Sequence, residues 1–377
     1  MLTYDAIVLG CGAVGSAALG HLARRGLRVL GVDRFTPPHD RGSSHGRTRI
    51  IRQAYFEHPD YVPLVLRAFE QWFALEAAVG RTLYQHTGVL EIGVPAGRVI
   101  AGVLASARQH RLAVDELSPD DVARRFPDFA VPEGMRAIFE RDAGVLRVED
   151  CIGAQIELAR RANVECQFAE TVQSWHIGRA NVILITDRGR YETPRLVITA
   201  GAWAGGLLAD LKVPLVVRRK PQYWFAPRGG AYRADAGTPA FLYELADGVF
   251  YGIPVVGPEG VKCAEHSGGA VVDDPAQLHR DVDSADLARV TGFITACLPR
   301  LTTTLNDHAP CMYTMSPDEH FVVDVHPRYP QVSFAAGLSG HGFKFAPVLG
   351  EALADLATMG RSELPIGFLS VKRFAST

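Results

Sequence analysis

Cysteine is scarce in this sequence, and none of it is arranged for a metal. The six cysteines stand at positions 11, 151, 166, 263, 297 and 311, with no CxxC pair and no HxxxH nearby. That spacing argues against a zinc site and a dense disulfide framework, so no metal is expected and a reducing compartment fits. Excess charge is missing too: 39 Lys and Arg against 41 Asp and Glu leave a net charge of −2. No global field draws such a chain to nucleic acid or an anionic membrane, and neither is expected as a partner. No apolar run approaches the roughly 20 residues of a membrane span. The opening stretch lacks a basic segment and is interrupted by Asp5, so it does not read as a signal peptide. A soluble, cytoplasmic protein is the expectation. Internal repeats and low-complexity tracts are also absent, which sets aside solenoids and biased tails.

What is present is an ordinary globular balance, 47% apolar and 21% charged, in 377 residues. That length is long for one core and predicts two lobes. Residues 5–9 form an apolar run suited to a buried parallel strand. Residues 12–25 are helix formers closed by Gly26, and 28–33 read as the next strand, completing a βαβ unit. A Pro-, Gly- and Ser-rich loop follows over 34–48. Helical spacing returns over 60–80 and 150–162. Strands are expected at 88–93, 139–146, 181–186 and 195–199. Residues 214–270 alternate and turn often, as an antiparallel sheet does. A strand-to-turn signal at 332–338 precedes a helix expected from about 342 to 359. The fold class is therefore α/β, with a Rossmann-type domain built from discontinuous segments and an α+β second domain carrying an antiparallel sheet. The expected division is 1–85, 141–215 and 317–377 for the nucleotide domain, and 86–140 and 216–316 for the substrate domain.

Gly10-Cys-Gly-Ala-Val-Gly15 fits G-x-G-x-x-G between a strand and a helix. Gly10 permits the tight turn, Gly12 lets the backbone approach a pyrophosphate, and Gly15 lets helix and strand pack closely. The helix N-terminus then faces the anion. Asp33 ends the second strand, where a carboxylate can bond the adenosine ribose and repel a 2′-phosphate. These residues predict a dinucleotide other than NADP and leave NAD and FAD undivided.

Five further segments carry a family resemblance. They are Gly42-Ser-Ser-His-Gly-Arg-Thr-Arg-Ile-Ile-Arg-Gln-Ala-Tyr55, Thr199-Ala-Gly-Ala-Trp203, Gly260-Val-Lys262, Cys311-Met-Tyr-Thr with Asp318 to Asp324, and Gly337-Leu-Ser-Gly-His-Gly-Phe-Lys-Phe345. In order and spacing they resemble the monomeric sarcosine oxidase and N-methyltryptophan oxidase family, across nearly the whole chain. The resemblance implies a two-domain amine oxidase with FAD linked covalently to a cysteine. By that match Cys311 is the linking residue, and His45 and Arg49 lie beside the flavin ring, where positive charge favours a thiolate. Around the cofactor the resemblance also places Arg34, Ser43, Thr48, Val172, Gly201 and Gly340.

The same resemblance assigns Arg52 and Lys344 to the substrate carboxylate, as a guanidinium fork and a point charge. Lys344 also counts among the cofactor-binding positions, because backbone N–H groups at the start of the expected last helix favour negative charge on reduced flavin. Lys262 matches the lysine that promotes reaction with oxygen. His266 and Tyr313 match residues lining the pocket, with His266 favouring the neutral amine, and Tyr251 matches a pocket wall. Departures exist at Arg47, Leu242, Cys263 and Glu265, and they bear on the substrate side chain.

The expected function is oxidation of a small secondary amine carboxylate, most simply sarcosine, with oxygen as acceptor and hydrogen peroxide as product. A monomer is expected, with only the amine and O2 as partners. Within the family the alternatives are N-methyltryptophan, a cyclic imino acid such as pipecolate, or a glycated amino acid. Outside it stand a flavin-binding subunit of a complex and a flavin dehydrogenase.

Overall fold

The computed structural model describes residues 2–374; residue 1 and residues 375–377, the ends of two expected segments, lie outside the described residues. Five sheets and a set of surrounding helices make up the described chain. One sheet runs in the order Glu165–Phe168, Val29–Asp33, Ala6–Leu9, Leu196–Ile198, Tyr329–Ala336, Val322–His326. Its first five strands are mutually parallel, and the last is an antiparallel edge. Ala6–Leu9 and Val29–Asp33 are buried throughout, which explains their continuous apolar runs. The helix Ala13–Arg24 packs between the helices Ala346–Met359 and Val148–Arg161. A second, four-stranded sheet joins Leu2–Thr3 to the meander Val172–Ile177, Val182–Thr186, Arg190–Thr193.

The largest sheet has eight strands, in the order Leu301–Ala309, Gln222–Pro227, Val261–Glu265, Gly248–Ile253, Ala240–Leu245, Val89–Gly93, Arg136–Glu140, Asp115–Leu117. It is not wholly antiparallel, because Ala240–Leu245 pairs in parallel with Val89–Gly93. Its aromatic core includes Tyr223, Phe225, Phe241, Tyr243, Phe250 and Phe293. Two smaller sheets complete the set. Thr48–Ile51 pairs with Gly144–Arg147, which pairs with Tyr84–His86. Val216–Arg219 pairs with Met312–Met315.

The single strand expected over 139–146 is two strands in two different sheets, divided after Glu140 and resumed at Gly144. The last helix begins at Ala346 rather than at 342. Pro347 lacks an N–H and fits its first turn, while Phe343–Phe345 forms a separate 3₁₀ turn. Lys344 therefore precedes the helix. Helices Arg98–His110, Pro119–Arg125 and Ser284–Cys297 add to those read from sequence. No helix among the described residues is long and apolar enough to cross a membrane.

Candidate active site

The glycine turn builds one end of the site. Gly10 has φ +88°, and a Cβ there would lie 2.6 Å from the Thr199 carbonyl oxygen. A Cβ on Gly15 would lie 1.8 Å from the Gly10 carbonyl oxygen, so strand and helix touch there. A Cβ on Gly12 would lie 3.6 Å from Ser44 Oγ; Gly12 caps the helix Ala13–Arg24 with no side-chain bond of its own, and the Ala13 N–H donates to Ser44 Oγ (3.4 Å). Asp33 accepts from the backbone N–H of Cys11 (2.7 Å) and of Phe35 (2.8 Å). Each oxygen keeps a lone pair for a further donor.

These groups line a cavity of about 510 Å³. It runs past Gly10, Gly12, Asp33, Arg34, Ser43, Val172 and Gly201 to Arg49, Tyr313 and Gly340. Gly15 lies behind this wall. His45, Thr48, Cys311 and Lys344 are likewise not on its surface. Trp203 lines the cavity with its indole Nε1 buried and unpartnered, and His45 Nε2 is buried and unpartnered as well. A glycine cradle, an orphaned indole donor and a ribose-height carboxylate fit a dinucleotide cofactor.

Cys311 is fully buried, with its Sγ 3.6 Å from Arg49 Nη2 and 3.7 Å from the Ser43 carbonyl oxygen. Burial alone would raise its pKa. His45, Arg49 and Lys262 beside it outweigh burial and bring the thiol down to about 6. Lys262 is also buried. Its Nζ donates to the carbonyl oxygens of Gly46 (2.8 Å) and Thr48 (2.9 Å) and lies over the Trp224 ring. Burial pulls its pKa well below the ordinary lysine value, while the two carbonyls and the ring face favour the ammonium.

A second cavity, of about 60 Å³, shares Arg49, Tyr313, Gly340 and Phe343 with the first. Arg52, Glu57, Tyr251, His266, His341 and Lys344 supply its polar wall, and Ile50, Phe56, Val89 and Leu242 its apolar wall. Arg52 donates through Nη2 to both oxygens of Glu57 (3.0 and 2.8 Å) and through Nη1 to the Ala54 carbonyl oxygen (3.2 Å). Glu140 accepts from the N–H groups of Gln53 and Ala54, pinning the chain just beyond Arg52. Burial is outweighed at Glu57 by Arg52, His341 and Lys344, which hold its carboxyl down at about 2. Burial and Arg52 bring Lys344 down to about 7, and its Nζ donates to the His341 carbonyl oxygen (3.1 Å). His266 is lowered to about 3 by burial and by Lys220, so its imidazole is neutral. Its Nδ1 lies 3.5 Å from Tyr313 Oη.

Sequence reasoning missed Tyr55, Glu57, Glu91, His341 and Lys220, all within this network. Tyr55 and His341 lie inside segments that carry the family resemblance, and Glu91 left a signal of its own, a single charge inside the apolar run Val89-Leu-Glu-Ile. Arg47 turns away to Asp307 and Glu259 over the Trp224 ring.

Residues 5–356 match the family model for FAD dependent oxidoreductases. The chain belongs to that family. It is 42% identical to a monomeric sarcosine oxidase from Streptomyces avermitilis over 99% of this chain and 98% of that protein. It is 38% identical to an N-methyl-L-tryptophan oxidase from Yersinia pestis over 99% of this chain and all of that protein. In fold it matches NikD, described as an unusual amino acid oxidase essential for nikkomycin biosynthesis, with a TM-score of 0.85 at 24% identity over 98% of both chains. L-proline dehydrogenase from P. horikoshii matches with a TM-score of 0.86 at 20% identity, over 99% of this chain and 98% of that one. This member of the family is thus an FAD-dependent oxidoreductase acting on CH–NH donors.

Proposed function

We propose that the chain oxidises a small secondary amine bearing a carboxylate, an N-methyl amino acid such as sarcosine, with oxygen as acceptor. The observation that carries this reading is the pair Arg52 and Lys344 on one wall of a 60 Å³ cavity that opens toward the cofactor cavity through Arg49, Tyr313 and Gly340. FAD, held in the cofactor cavity, would supply the two-electron acceptor for oxidation of the carbon next to nitrogen, with the imine product open to hydrolysis and oxygen as the final acceptor, reduced to hydrogen peroxide.

The remaining work belongs to side chains. Gly10, Gly12 and the N-terminus of Ala13–Arg24 would hold the pyrophosphate, and Asp33 the ribose. Cys311, an ionised thiol at neutral pH, would hold the flavin ring through a thioether. Arg52 and Lys344 grip the substrate carboxylate and so fix the orientation of the amine, the largest gain available to a site that does little acid–base work. A bound anion favours the charged form of Lys344. Neutral His266 adds no positive charge beside the amine and can accept a hydrogen bond from its N–H, which orients the nitrogen lone pair. Lys262, held by two carbonyls, stabilises negative charge arriving with oxygen. The small apolar wall of Ile50, Phe56, Val89 and Leu242 favours a compact substrate over an indole-bearing one.

We assign cofactor binding to 1–85, 141–215 and 317–377, and the amine-facing sheet to 86–140 and 216–316, in a chain acting as a monomer. Peroxide production with sarcosine, N-methyltryptophan and pipecolate tests the reading. Sarcosine is expected to give the highest kcat/KM. Arg52→Met is expected to lower that value by about 10- to 100-fold, the loss of a charge-assisted bond. An unchanged kcat/KM in that variant would remove Arg52 from the carboxylate site.

A further inference from the structure

Arg52 has a second acid behind it. Glu91 lies on the strand Val89–Gly93, two residues from the cavity-lining Val89, so both project from one face of the sheet. Its side chain has no exposure, and its Oε1 is 3.4 Å from Arg52 Nε. Neither carboxylate oxygen has a hydrogen-bond partner. The guanidinium it faces is already engaged on its other edges by Glu57 and the Ala54 carbonyl. A buried carboxylate without hydrogen bonds, sharing one cation with another carboxylate, is poorly compensated. The other titratable groups acting on it are Glu140 and Glu57, which oppose its charge, Lys344, which favours it, and Tyr55 beside Arg52. Burial, with Glu140 and Glu57, raises Glu91 to about 8.

The charge count then decides what the site can bind. With Glu91 neutral, Arg52 and Lys344 face Glu57, and a substrate carboxylate meets net attraction. With Glu91 ionised, a second negative charge sits against the same guanidinium and opposes any incoming anion. We propose that Glu91 is a positioning residue acting through Arg52: in its neutral form it leaves the guanidinium available to a substrate carboxylate, and in its ionised form it closes the site to anions. The inference rests on the reading of Arg52 as the carboxylate-binding residue.

The test titrates the flavin-loaded protein with acetate by calorimetry at pH 7 and pH 9, in the wild type, Glu91→Gln and Arg52→Met. A group with a pKa near 8 is only about one-tenth neutral at pH 9, so its ionisation alone weakens wild-type binding about tenfold over that interval. Lys344 is itself raised by Glu91, so the wild-type and Glu91→Gln forms are compared in a Lys344→Met background, which removes that lysine's titration. The ratio of the two Kd values in Glu91→Gln is therefore expected to be about tenfold smaller than in the wild type. An equal ratio in the two proteins would overturn the inference while leaving the carboxylate site standing. Unchanged acetate binding in Arg52→Met would overturn the carboxylate site, and the inference with it. Should Glu91→Gln fail to fold, Glu91→Val, an apolar filler for the same strand, carries the same expectation.

Discussion

A thiol held among His45, Arg49 and Lys262 ionises early, and that has a direct chemical signature at Cys311. In flavin-free protein, alkylation of Cys311 by iodoacetamide is expected to follow a midpoint near pH 6, against the ordinary 9. Peptide mapping across pH reads this, and a midpoint near 9 would leave the thiol without its activating charges. Cys311→Ala should release all of its flavin on acid precipitation; a yellow pellet from that variant would contradict the thioether. Glu57 and Glu91 show the same physics with opposite signs. Glu57 is held below its usual 4.5, so it contributes stability that is present above pH 4.5 and lost as pH falls toward 2. Glu91 is raised, so its cost to folding is absent below pH 4.5 and grows until about pH 8. Glu91→Gln should accordingly match wild-type stability at pH 4.5 and exceed it by a few kcal/mol, on the order of the linkage for a shift of this size, at pH 8 and above. Chemical denaturation at the two pH values measures the difference, and a constant offset would count against a titrating Glu91.

At the scale of elements, the glycine turn couples strand to helix by contact rather than by side-chain bonding. Gly15→Ala puts a methyl carbon within 1.8 Å of the Gly10 carbonyl oxygen, so strand or helix must move and the cradle with it. The variant should purify with far less flavin than the wild type, read as the ratio of visible to protein absorbance; full flavin content would show that the turn tolerates displacement. Elements with a strong local period were legible in the sequence. Ala6–Leu9, Ala13–Arg24, Val29–Asp33 and Tyr61–Val79 appear where their patterns place them. The run at 139–146 was misleading because two strands of different sheets abut at a three-residue turn, and no local signal records the change of sheet. Helix 284–297 has its Asp283 cap and yet a weak apolar stripe, with Val290, Phe293, Ile294 and Cys297 buried only along its second half. Site residues carried in motifs, such as Lys262 and Cys311, were legible. Glu57, His341 and Lys220 were not: Glu57 and His341 stand close in sequence to Arg52 and Lys344 but in irregular segments with no periodic signal, and Lys220 reaches the Tyr313 ring from a distant part of the chain.

Across the whole molecule, the strand Thr48–Ile51 packs against Gly248–Ile253 of the eight-stranded sheet on one hand and the turn Phe343–Phe345 before the last helix on the other. Arg49 faces the cofactor cavity and Cys311, while Arg52 faces the amine cavity and the strand bearing Glu91. Lys262 reaches across from the eight-stranded sheet to the carbonyls of Gly46 and Thr48. Replacing it by Met should slow reoxidation of the reduced protein by oxygen by about 100-fold or more, with little change in the rate of reduction, since electrostatic stabilisers of developing charge are worth that much. Stopped-flow traces of the two half-reactions separate them, and equal slowing of both would assign Lys262 a structural part only. The most direct test of the account is an anaerobic titration of the yellow protein with sarcosine, followed by admission of air. Bleaching of the visible flavin absorbance that returns with oxygen is the predicted result. Flavin that stays oxidised in the presence of sarcosine would contradict the assignment of a small N-methyl amino acid as substrate.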